Sequence, residues 1–194
     1  MYERGEWAWK DVQDCTVIAC AAPPVGGRSE ITPRLSRRMN MLCLPKSDQA
    51  VLTKIFASIL GGFLTAWGFS DKIKGLQDAA IASTIEVYLK IQEELRATPA
   101  KFHYSFNLRD VSKVVQGLCM TKPVSVAAPE TFMRLWANEC FRVFYDRLIS
   151  DDDRNWFKAL TLDLFMRNFK LPAEKDEIFD ELKFGDLLKL DAPT

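Results

Sequence analysis

Residues 14–44 read DCTVIACAAPPVGGRSEITPRLSRRMNMLCL, and the fold turns on how this stretch is taken. It contains two short apolar runs, 15–22 and 39–44, each of a length that suits a buried strand. The first run is continuous rather than alternating, the pattern of a strand covered on both faces. Between the runs lies a loop stiffened by prolines, with Gly26-Gly27, that carries Arg28, Arg34, Arg37 and Arg38. Two strands bracketing such a loop would hold positive charge at a sheet edge. Two strands do not make a stable sheet by themselves, so their neighbours are expected to lie outside the chain.

Downstream the period changes to that of helices. Pro45 and Ser47-Asp48 mark a boundary and a helix start, followed by Val51, Leu52, Ile55, Phe56, Ile59 and Leu60 on one face. Gly61-Gly62 is expected to break or end that helix. A second helix is predicted over about 76–95, stopped by Thr98-Pro99 because the residue before proline avoids the helical region. A third begins at Asn107, a good N-cap, with Asp110 in its first turn and Leu108, Val111, Val115 and Leu118 inward. After a linker over 123–129, a helix over about 130–149 carries Phe132, Trp136, Cys140, Val143 or Phe144, and Leu148. Asp151 to Asp153 then opens a last helix with Trp156, Leu160 and Leu164 as its stripe. Beyond Pro172, Ile178-Phe179 and Leu187-Leu188 suggest short elements or a tether.

Composition narrows the function classes. Lysine plus arginine and aspartate plus glutamate number 26 each, so no global field points to nucleic acid or an anionic membrane. A nucleic-acid role for the Arg28 to Arg38 cluster is disfavoured by that balance. Five cysteines form no CxxC pair and, four of them lying inside apolar patterns, read as buried reduced thiols. The first residues have no apolar core for a signal peptide and no run is taken to reach membrane-spanning length, which gives the expectation of a soluble intracellular chain. No GxxxxGK[ST] phosphate loop is present, nor an apolar run ending in paired acids before the first strand. The chain alone is therefore not expected to bind or hydrolyse ATP.

Three motifs carry a family resemblance. AAPPVGGRSEITPRLSRRMNML over 21–42 resembles the dynein heavy chain loop that reads close to GPPGGGR, TPRF and an R-H-F-N ending. Thr98-Pro99-Ala100-Lys101, continued by HYSFNLRD over 103–110, is the second match. Arg134-Leu135-Trp136, Glu139 and RVFYDRL over 142–148 form the third, in the family's order and roughly at its spacing. The resemblance places the chain at the rear of the third AAA+ module of an axonemal dynein ring. It implies a mainly α fold with a small α/β remnant. Residues 1–45 would end the large α/β subdomain, 46–122 would be the helical lid, and 123–194 a helical extension towards the next module. The phosphate loop and Walker B motif would then lie upstream.

The same resemblance assigns roles. Arg34 matches an arginine finger, which faces the terminal phosphate in the neighbouring module's site, with Arg37 and Arg38 as secondary candidates at the same interface. Read from the residues alone, these are a solvated arginine cluster. Arg109 matches the lid's sensor II arginine, facing the module's own nucleotide. On its own terms it is a cation near a helix N-terminus, relieved either by an anion or locally by Asp110 or another carboxylate. Ala22 stands at the sensor I position and can orient no water, which puts fast hydrolysis in doubt. His103, the single histidine, reads as packed structure. ATP or ADP with Mg²⁺ is implied only in the complete motor. The implied partners are the rest of the heavy chain, neighbouring AAA+ modules, intermediate and light chains and, indirectly, microtubules, in the cytoplasm and the ciliary axoneme. A helical scaffold without a nucleotide role is the competing reading.

Overall fold

The computed structural model describes residues 4–22, 29–45, 47–169 and 184, and the chain divides into two units, 1–45 and 46–194. In the first unit, α1 is a single turn, Pro33–Ser36, begun by Pro33 at the first helical position, where a missing N–H costs nothing. The two strands expected at 15–22 and 39–44 are not formed. No backbone hydrogen bond joins the two segments among the described residues. Val17, Ile18, Leu42 and Leu44 are exposed, the last two at 89%. A ladder needs partners on each side, and these segments have none among the described residues of the unit. The thiols follow suit: Cys15, Cys20 and Cys43 are exposed, and only Cys140 is buried as the sequence led one to expect, with Cys119 half-buried. Arg28 and the paired prolines and glycines of the loop lie outside the described residues, as do the apolar pairs of the tail.

The second unit is helical. Its helices are α2 (Gln49–Ala66), α3 (Asp71–Lys74), α4 (Gln77–Glu94), α5 (Leu108–Leu118), α6 (Pro129–Val143) and α7 (Asp151–Phe169). Asp48 opens α2 by accepting the Gln49 N–H at 2.7 Å. Gly61 and Gly62 do not end it. The helix runs on to Ala66 and stops at Gly68, whose φ of 69° only glycine adopts without strain. There Phe69 N–H bonds Leu64 C=O and Gly68 N–H bonds Thr65 C=O, a Schellman ending, with the Phe63 and Phe69 rings 5.7 Å apart across it. Gly61 has a packing reason instead. A Cβ there would lie 2.6 Å from the Gln77 amide, which reaches over from α4 to donate to the Ala57 carbonyl.

Leu52, Phe56, Leu60 and Leu64 form the buried face of α2, while Val51, Ile55 and Ile59 on the adjoining face are exposed. By length and composition α2 would suffice to cross a membrane, contrary to the expectation from sequence, but that first face is committed to the core.

The centre is α4, packed against α2, α5 and α7. Ile81, Ile85, Val87 and Ile91 are wholly buried, each such side chain contributing roughly 1.5–3 kcal/mol relative to exposure. Residues beyond 123, read as an extension, supply α6 and α7 to this same core through Phe132, Trp136, Phe144, Phe157 and Leu164. Trp136 Nε1–H, deep in the core, donates to Thr84 Oγ1 at 2.9 Å, and that hydroxyl donates to the Ala80 carbonyl at 2.7 Å. Helices α5 and α6 approach closely at Gly117, where a Cβ would overlap the Glu139 carboxylate. Glu139 is held there by Arg142.

Candidate functional site

The start of α5 is built by local chemistry. Asn107 Oδ1 accepts the Arg109 N–H at 2.9 Å, and Asp110 Oδ2 accepts the Asn107 N–H at 3.0 Å, so each end of a capping box satisfies the other. The Asp110 side chain turns inward and is 4% exposed, ion-paired to Arg147 at 3.1 Å and to Lys113 at 3.5 Å. Arg109, one position earlier, turns outward and is exposed. Among the described residues its guanidinium has no hydrogen bond or ion pair. The local relief by Asp110 that the sequence left open is therefore not what forms. Asp110 is spent on Arg147, and a cation without a partner among the described residues stands at the positive end of a helix, where an anion is welcome.

The loop before α5 is fastened to the junction between α6 and α7. Arg147, in the short turn Tyr145–Arg147, donates to the Ser105 carbonyl at 3.0 Å and lies 4.7 Å from the Phe106 ring centroid. His103 Nε2 donates to the Arg147 carbonyl at 3.0 Å, and its ring meets Tyr104 edge-on, which makes it the packed histidine expected. Tyr104 O–H donates to Asp153 at 2.8 Å and accepts from the Ile149 N–H at 3.1 Å. Lys101 completes the set on Asp153 at 2.5 Å. Burial alone would raise the Asp153 pKa, but the hydrogen bonds from Lys101 and Tyr104, with the Lys101 charge, hold it below the usual carboxylate range. Asp153 thus does more than favour a helix start, while Asp151 and Asp152 stay exposed. No group of acids, cysteines and histidine able to hold a metal occurs among the described residues.

Arg34, Arg37 and Arg38 sit on or beside α1 in the first unit and are exposed, with no side-chain partner among the described residues. Ala22 is exposed as well. The roles of Arg147 and of the Lys101, Tyr104 and Asp153 set escaped sequence reading. Arg147 stood in the third motif, but its partner Asp110 is 37 positions away, and only the fold brings the two together.

Comparison with known proteins agrees with this architecture. Residues 53–154 match the family described as dynein heavy chain, ATPase lid domain, and residues 1–47 match P-loop containing dynein motor region. Human dynein axonemal heavy chain 6 is 38% identical over 192 residues, covering 98% of this chain and 5% of that protein. Human dynein axonemal heavy chain 1 is 37% identical over 93% of this chain and 4% of that protein, and mouse dynein axonemal heavy chain 12 is 36% identical over 92% and 6%. The chain thus spans about 5% of the length of the first of these relatives. With the lid match covering more than half of its residues, the chain belongs to the dynein heavy chain family, as a piece of the motor region with its lid domain.

Proposed function

We propose that this chain is the lid end of the third AAA+ module of an axonemal dynein heavy chain, and that Arg109 senses the nucleotide bound by that module. The observation that carries the reading is the division of labour at the start of α5. Asp110 is taken by Arg147 and Lys113, while Arg109 stands exposed without a partner among the described residues. A guanidinium presented in this way suits a phosphate, which it can bind through two parallel N–H donors. Arg34 on α1 is the arginine-finger candidate for the neighbouring module's nucleotide, with Arg37 and Arg38 at the same interface.

The work of such a lid is to pass the nucleotide state around the ring. A change in state moves the lid only if contacts differ between the states, and the terminal phosphate with its Mg²⁺ supplies that difference. The nucleotide floor, the neighbouring AAA+ modules, the intermediate and light chains and the microtubule track all belong to the assembled motor. Its place is the axoneme of cilia or flagella, by likeness to the axonemal relatives. No catalysis is assigned to this chain alone, which has no phosphate loop sequence.

In the complete motor, with the phosphate loops of the other modules disabled, Arg109→Ala is expected to weaken nucleotide binding at this module by roughly tenfold or more, the scale of a lost charge-assisted hydrogen bond. Unchanged affinity would show the arginine to be structural.

A further inference from the structure

We propose that Arg147 is a positioning residue for Arg109, fixing the rotation of α5 from the far side of the helix; this rests on the sensing reading of Arg109 above. Successive residues on a helix point about 100° apart. Whatever fixes where Asp110 points therefore fixes where Arg109 points. Asp110 is anchored inward by Arg147 Nη1 at 3.1 Å. The same guanidinium reaches the other side of the Asn107 cap, donating through Nη2 to the Ser105 carbonyl at 3.0 Å and lying over the Phe106 ring. One rigid plane thus holds residues 105, 106 and 110, on both sides of the N-cap, to the turn that follows α6. Lysine keeps a charge but lacks the planar fork, so it cannot serve Asp110 and Ser105 at once. Lys113, 3.5 Å from Asp110, keeps that carboxylate paired when Arg147 is changed, which favours survival of the fold.

The test uses the complete motor with the other modules' phosphate loops disabled, and follows release of a fluorescent ADP analogue from this module. Arg147→Lys is expected to speed release by about tenfold. It should also quicken hydrogen exchange at amides 107–112 while α4 and α7 stay protected. The decisive reading is the double variant. If Arg147 acts through Arg109, adding Arg147→Lys to Arg109→Ala makes release no faster than Arg109→Ala alone. Should the two effects multiply, or should Arg147→Lys leave release unchanged while Arg109→Ala speeds it, Arg147 is not a positioning residue and the sensing role stands. An Arg109→Ala motor that releases at the normal rate overturns the sensing reading, and this inference with it. Phe106→Leu, which removes the ring face and no charge, guards against misfolding. It should speed release less than Arg147→Lys and again add nothing to Arg109→Ala, and multiplication there likewise overturns the proposal.

Discussion

Thr84 is where α4 and α6 meet through polar groups. Its hydroxyl accepts from Trp136 Nε1 and donates to Ala80 C=O, so both the indole N–H and the threonine are satisfied in a site closed to water. Thr84→Val keeps the shape and removes the acceptor, leaving a buried N–H unpaired. The expected loss is about 1–3 kcal/mol in chemical denaturation, with helix content unchanged. A loss near zero would show that the indole finds another acceptor. No local pattern announces this bond, since its partners lie 52 positions apart. At Asn107 and Asp110 the reverse holds. Both halves of the capping box fall within four residues, so the start of α5, and Arg109 on it, could be read directly.

At the scale of elements, the fastening of the loop 101–107 to the start of α7 depends on one carboxylate. Asp153 has a lowered pKa in the fold, so its contribution is fully present above its unfolded value, about 4, and is lost as pH falls through the folded one. Glu86 behaves alike: burial opposes ionisation, and Arg167 with Lys90 outweighs it. Thermal melts are therefore expected to hold steady from neutral pH to about 5 and to fall below 4. Asp153→Asn should start lower and show a shallower acid decline. A variant with the wild-type acid profile would remove Asp153 from the account. Helix ends were less legible than helix starts. Gly61-Gly62 looked like a stop by propensity, yet the weak local preference yields to packing of Gln77 across Gly61. Along α7 Trp156 packs half-buried against the core as its spacing suggests, but the wholly buried aromatic is its neighbour Phe157, which apolar spacing leaves undecided.

For the whole molecule, the period of the apolar residues was enough to give the helical body, while the two strands were expected from the length and continuous apolar pattern of short runs. A run such as 15–22 has the makings of a strand, but strand structure is a property of pairs, and no partner strand is formed among the described residues. The core joins α2 through α7 without a break at 123. Residues 46–169 are accordingly expected to unfold in one cooperative step in urea, with tryptophan fluorescence and far-ultraviolet dichroism superimposing. Two separated transitions would mark the portion from 123 onwards as an independent extension. The candidate site was half legible for the same reason: Arg109 belongs to a local motif, whereas the Arg147 that braces its helix belongs to the fold.

The role proposed for this lid is to offer Arg109 to a nucleotide whose phosphate loop lies outside the chain. A structure of the complete motor with an ATP analogue bound at this module would show whether it does. A guanidinium nitrogen of Arg109 is expected at about 2.7–2.9 Å from a phosphate oxygen, with Asp110 still paired to Arg147. An Arg109 that points to solvent away from the occupied cleft would contradict it.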